Sequence, residues 1–289
     1  MTELTGVCVP ICTPFKDNGA TLDLKAFEAN IDSLIENGVH IIAVNGGTGE
    51  FPFLAEDEKR TLAEIAVRRA GGRAKVIVQT SAIRTEDAIE NSRHAEGIGA
   101  DALLILPPYF EGPGEAGVRW HYEQIARAVR TPIMAYNIPV YTQFDITPEI
   151  FARFSEIDGV EYIKDSTADP SRIEKLAGQG SRVFCGCDFL NFFAIISGAA
   201  GLFTGSGNVA PGLVRKLWDL TKSARYGEAE AVWRKLQPIS RLLWTLPFNP
   251  VAKAGSQLTG RPAGLCRMPV PPLSRDEWQR VEEAVAALG

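Results

Sequence analysis

The feature that most constrains this chain is a repeat. Short apolar runs, each bounded by Gly, Pro or polar residues, recur along it with amphipathic helical stretches between them. Eight such runs are Val7–Cys12, Val39–Val44, Lys75–Gln79, Ala102–Leu106, Pro132–Tyr136, Val160–Lys164, Arg182–Cys185 and Gly201–Thr204. They are apolar almost without interruption, the pattern of strands buried on both faces of a parallel sheet. Helical stretches include Leu24–Asn37, Glu56–Ala70, Glu86–Glu96, Ala116–Val129, Pro148–Phe154 and Leu213–Ala224. In the second of these, Leu62, Ile65, Ala66 and Arg69 follow the three-and-four spacing of one buried and one wet face. Asp23 is placed to cap the first helix, Thr147-Pro148-Glu149 puts Pro at a first helical position, and Gly38 and Gly71 stand where left-handed helix ends are favoured. Eight strand–helix units predict an α/β fold, a (β/α)8 TIM barrel over residues 1–224, rather than a doubly wound sheet. Glu228–Leu243, Pro250–Leu258 and Arg275–Leu288 exceed that count, so residues 225–289 read as a C-terminal helical region packed on the barrel. Pro269–Pro272 reads as a rigid turn before the last helix.

Composition excludes more than it assigns. Thirty Lys plus Arg against 35 Asp plus Glu give a formal charge of −5, which offers no broad basic field for nucleic acid or anionic lipid. The N-terminus lacks a basic region followed by an apolar run, and no stretch approaches the length of a membrane span. A cytoplasmic location with no membrane partner is the expectation. The cysteines, Cys8, Cys12, Cys185, Cys187 and Cys266, are odd in number and read as reduced thiols in a barrel wall. Cys185-Gly-Cys187 has neither a second pair nor histidines to complete a metal site, and His40, His94 and His121 fall at unrelated positions. No metal is expected.

A barrel of this kind carries its active site at the C-terminal ends of its strands, so strand ends are where chemistry is sought. Lys164 ends the sixth run and enters a low-dielectric interior, which favours the neutral amine that attacks a ketone. The protonated imine that results is an electron sink, making carbon–carbon cleavage or proton loss beside it feasible. The glycine-rich turn Gly46-Gly47-Thr48-Gly49 offers backbone N–H groups and a hydroxyl suited to a carboxylate, and no GK[ST] follows to make it a phosphate loop. Tyr136, at the end of the fifth run, supplies a phenol for proton transfer.

With GGTGE at Gly46–Glu50, YNIP at Tyr136–Pro139 and IKDST at Ile163–Thr167, the chain resembles the dihydrodipicolinate synthase / N-acetylneuraminate lyase family, in order and over essentially its whole length. The resemblance implies a TIM barrel with C-terminal helices, a homo-oligomer (usually a tetramer), a small keto-acid substrate, and no metal or organic cofactor beyond a covalent imine. It gives Lys164 the imine-forming role and Tyr136 the proton-transfer role. Gly47 and Thr48 take the positions that hold the pyruvate carboxylate, and Gly186 and Asp188 line the distal pocket, where sugar-acid lyases of the family use an aspartate for hydroxyls. Tyr109, Phe110, Tyr141 and Phe203 complete the expected lining.

The departures bear on substrate. Similar synthases carry two hydroxyl residues before the GE pair, where this chain has Gly47 then Thr48. Their strand-five arginine is replaced by Tyr141, and the tyrosine they borrow across a subunit interface falls at Phe110, unless Tyr109 substitutes. The GGTGEF form is also similar to keto-deoxy-glucarate dehydratases, whose strand-five motif differs. The expected activity is a class I lyase acting on pyruvate plus an aldehyde, or on a 2-keto-3-deoxy sugar acid. Dihydrodipicolinate synthesis and a non-catalytic keto-acid-binding protein are the alternatives.

Overall fold

The structure, a computed structural model, describes residues 3–289. Eight parallel strands close into a barrel: β1 (Gly6–Pro10), β2 (Ile41–Val44), β3 (Lys75–Gln79), β4 (Ala102–Ile105), β5 (Ile133–Asn137), β6 (Val160–Asp165), β7 (Arg182–Cys185) and β8 (Gly201–Phe203). Each pairs with its sequence neighbours, and β8 returns to β1. The boundaries differ from the sequence reading by one or two residues at half of the ends and coincide at the rest. The first run stops at Pro10 rather than Cys12, because Cys12 N–H turns to donate to the Asn208 side chain. A small antiparallel hairpin, Phe15–Lys16 with Thr21–Leu22, interrupts the first loop and carried no alternation long enough to announce it.

The helices are α1 (Leu24–Glu36), α2 (Glu56–Ala70), α3 (Thr85–Gly97), α4 (Gly114–Ala128), α5 (Pro139–Thr142), α6 (Pro148–Phe154), α7 (Pro170–Gly178), α8 (Asn191–Ile196) and α9 (Pro211–Lys222). Asp23 accepts from Ala26 N–H at the start of α1, and Thr147 from Ile150 N–H at the start of α6. Gly71 ends α2 in the left-handed region, φ 52°. Arg69 belongs to the wet face of α2, paired with Asp32 of α1, while Leu62, Ile65 and Ala66 are buried.

Strand alternation sorts side chains into two cores. Cys8, Ile41, Ala43, Ile77, Leu104, Met134, Tyr136, Tyr162, Phe184 and Phe203 fill the barrel interior. Val7, Val9, Ile42, Val76, Val78, Leu103, Ile133, Ala135 and Ile163 face the helices. The C-terminal region, α10 (Tyr226–Thr245), α11 (Phe248–Leu258) and α12 (Arg275–Ala286), shares this outer core through Val232, Leu236, Ile239, Val251 and Val281. It is continuous with the barrel packing.

Candidate active site

On β6 the alternation sends Tyr162 and Lys164 into the barrel and Ile163 toward the helices. Lys164 is 7% exposed. Its Nζ lies 3.7 Å from the centroid of the Tyr136 ring and 4.1 Å from that of Phe203. Tyr136 comes level with Lys164 through a register shift. Ile133 pairs with Val160, but Met134 pairs with Tyr162, so one residue of β6 is skipped and Tyr136 faces Lys164. Without that skip Tyr136 would stand beside Ile163, whose side chain points the other way. The bulge therefore assembles the pair.

Asp165, the next residue, turns outward into a buried network. Its carboxylate accepts from the Asn137 amide at 2.9 Å and from the Thr167 hydroxyl at 2.6 Å. Asn137 also donates to Asp145, which Arg172 grips with two bonds of 2.6 and 2.8 Å. Burial pushes the Asp165 carboxyl up, and the Thr167 and Asn137 donors oppose that. This network ties the end of β6 to the loop after β5, fixing the backbone on both sides of the Lys164–Tyr136 pair.

The Gly46–Glu50 turn caps β2, with Asn45 and Glu50 both in the left-handed region (φ 59° and 61°). The Gly47 carbonyl accepts from Glu50 N–H and from the Asn249 amide of α11, each at 3.0 Å. In a trans peptide the N–H points opposite the C=O. Asn249 thus turns the Thr48 N–H away from α11, and among the described residues that amide donates to no backbone acceptor. Glu50 is fully buried and meets the equally buried Lys253 of α11 at 2.5 Å, while Arg267 N–H donates to its other oxygen at 2.9 Å. The C-terminal region therefore clamps the turn at three points. The sequence reading missed Asn249 and Lys253, since nothing local in α11 says which barrel loop it will touch.

The structure brings Lys164, Tyr136, Phe203 and Gly186 together around one interior, and Thr48 is buried on the turn that caps β2. A Cβ built at Gly186 would overlap Ser166 Oγ and come within 3.0 Å of Lys164 Cε, so glycine here makes room for the lysine. Ser166 Oγ is buried with no hydrogen-bond partner among the described residues. It had a signal, since it stands two positions beyond Lys164 and the period of two returns it inward. Tyr109 is half-buried and burial pushes its phenol up.

Phe110 and Tyr141 are 80% and 73% exposed on the single chain. Asp188 is buried, but its carboxylate is committed: it accepts from the Thr204 hydroxyl (2.5 Å), Ser206 N–H (2.6 Å) and Gly205 N–H (3.1 Å). It caps the short turn after β8. All five cysteines are buried free thiols, and Cys185 Sγ lies 3.6 Å from the Cys187 carbonyl. Among the described residues no cluster of three or more His, Cys, Asp or Glu is placed to hold a metal.

Fold and site together define a (β/α)8 barrel with a buried lysine and tyrosine side by side at the lumenal strand ends. The family model described as the dihydrodipicolinate synthetase family matches residues 3–288, and the chain belongs to that family. It is 32% identical to the 4-hydroxy-tetrahydrodipicolinate synthase of Methanococcus maripaludis (strain C6), over 99% of both chains. To the enzyme of that name from Parvibaculum lavamentivorans it is 34% identical, over 98% of both. The crystal structure of dihydrodipicolinate synthase from Thermotoga maritima matches with a TM-score of 0.93 at 29% identity, covering 99% of this chain and 98% of that one. The Aquifex aeolicus enzyme matches at 0.93 and 28%, covering 98% and 97%. The protein is thus an enzyme, a lyase of the class I aldolase type.

Proposed function

We propose that Lys164 Nζ adds to the 2-ketone of pyruvate or of a 2-keto-3-deoxy sugar acid and, with loss of water, forms a protonated imine. Electrons from the bond beside the imine then flow into it, so that C3–C4 cleaves, or C3 loses a proton. Tyr136 carries the protons that imine formation and bond cleavage require. Thr48 N–H and hydroxyl, on the turn held by Asn249 and Lys253, receive the carboxylate. The observation that carries this reading is the buried amine set 3.7 Å from the Tyr136 ring on the lumenal face. Its test is incubation with pyruvate and borohydride followed by peptide mass spectrometry. A three-carbon adduct on Lys164 is expected, absent in Lys164→Ala together with turnover. An adduct on another lysine overturns the assignment.

The names of the relatives favour a second substrate reading, 4-hydroxy-tetrahydrodipicolinate synthesis from pyruvate and aspartate semialdehyde. Against it stand Tyr141 at the position of an arginine and Gly47 at that of a hydroxyl. A neutral phenol gives a carboxylate one hydrogen bond where a guanidinium gives two charge-assisted ones. Side-by-side kcat/KM for aspartate semialdehyde and for a 2-keto-3-deoxy sugar acid decides, with preference for the sugar acid expected. The reading includes a cytoplasmic location and a homo-oligomer, the latter supported by Phe110, Val140 and Tyr141 being exposed on the single chain, and sedimentation measures its size. Among the described residues no helix is long and apolar enough to cross a membrane.

A further inference from the structure

Gln79 is the last residue of β3, in a strand whose Ile77 fills the barrel interior. A period of two puts Gln79 on the same lumenal face, one layer nearer the strand ends where Lys164 and Tyr136 stand. Its side chain abuts the substrate turn: a Cβ built at Gly46 would lie 3.7 Å from Gln79 Oε1. Gln79 is 5% exposed, and neither Nε2 nor Oε1 has a hydrogen-bond partner among the described residues. Its neighbours are satisfied, since Thr80 pairs with Ser92 and the Ser81 hydroxyl accepts from Leu106 N–H at 2.8 Å. A buried amide with both ends unmade is unfavourable in the folded chain, and a ligand that supplies both halves relieves it.

We propose that Gln79 is a specificity-determining residue whose amide reads a hydroxyl on the substrate chain. The inference rests on the proposed imine chemistry at Lys164 and deepens it. A hydroxyl both accepts from Nε2–H and donates to Oε1, so it satisfies the amide completely. A carboxylate accepts only, leaving Oε1 unpaired and facing negative charge. The same amide therefore favours a polyhydroxylated keto-deoxy acid over a semialdehyde bearing a second carboxylate.

The test uses the full-length enzyme and two variants, Gln79→Leu and the isosteric Gln79→Glu. Three readouts are kcat/KM for 2-keto-3-deoxygluconate, the rate of borohydride trapping of pyruvate on Lys164, and urea unfolding without substrate. Gln79→Leu is expected to lower kcat/KM for the sugar acid by about tenfold to a hundredfold, mostly through KM. Pyruvate trapping, which involves no distal hydroxyl, should fall by much less. Unfolding of Gln79→Leu should shift to equal or higher urea, because an unmade amide is replaced by an apolar side chain; a merely structural glutamine would shift it lower. Gln79→Glu, which places negative charge beside the turn that receives the substrate carboxylate, should slow both assays, the sugar-acid turnover more. Equal losses in both assays for both variants, or no loss in either, overturn the role of Gln79 while leaving Lys164 intact. A wild-type enzyme that traps no pyruvate on Lys164 overturns the catalytic reading, and this inference with it.

Discussion

Gly186→Ala isolates how closely the lysine is packed. Gly186 does not have a positive φ, so alanine strains no backbone there. The added methyl overlaps Ser166 Oγ and sits 3.0 Å from Lys164 Cε and 3.1 Å from the Asp165 carbonyl. Carbon atoms in good contact stand about 3.5–4.0 Å apart, so Lys164 Cε must retreat by about 0.5–1 Å unless the backbone yields. Overpacking of this kind costs about 1–3 kcal/mol of stability. A misplacement of about 1 Å in a reacting group can cost about a hundredfold in rate. Gly186→Ala is accordingly expected to slow pyruvate trapping on Lys164 by about ten- to a hundredfold while the enzyme remains folded at 25 °C. Ser166→Ala removes one of the colliding atoms, so the double variant should recover part of the loss, and a double-mutant cycle on trapping rate and urea midpoint measures the coupling. Trapping at the wild-type rate in Gly186→Ala, or additive effects in the double variant, would refute the claim that glycine is there to make room for the lysine.

Tyr136→Phe should lower kcat by about 10²–10⁴-fold and slow imine trapping as well; a near-native kcat would move the proton relay to another group such as Tyr109. Lys253→Met strands the buried Glu50 carboxylate and should lower stability by about 3–5 kcal/mol in urea, with Glu50→Gln in the same chain restoring most of it. His121 is buried, its Nδ1 bonded to the Thr85 hydroxyl, and burial holds its imidazole down from 6.5 to about 4. The unfolded chain therefore binds the extra proton first as pH falls. The contribution of this histidine, about 3 kcal/mol, is complete above pH 6.5 and drains away toward pH 4, so His121→Asn should flatten the urea midpoint across that window.

The eight strands and most of their helices were legible because burial on both faces writes an apolar run directly into the sequence, and each run needs only its own residues to show. Lys164 and Tyr136 were legible as candidates because each is a polar residue at the end of an apolar run, and family resemblance gave roles to these two and to Thr48 on the turn after β2. The hairpin after β1 was not, since strands of two residues hold no period. Asp188 carries the same letter whether it reads a substrate or caps a turn, and only the Thr204–Ser206 donors folded around it decide. The clamp of Asn249 and Lys253 on the Gly46–Glu50 turn joins residues some two hundred positions apart, beyond any local pattern. The sequence by itself determined a parallel barrel with a lysine and a tyrosine at strand ends. Whether those two side chains meet was decided by one skipped residue between β5 and β6, because in a period of two a shift of one position turns a side chain from the core outside to the lumen within.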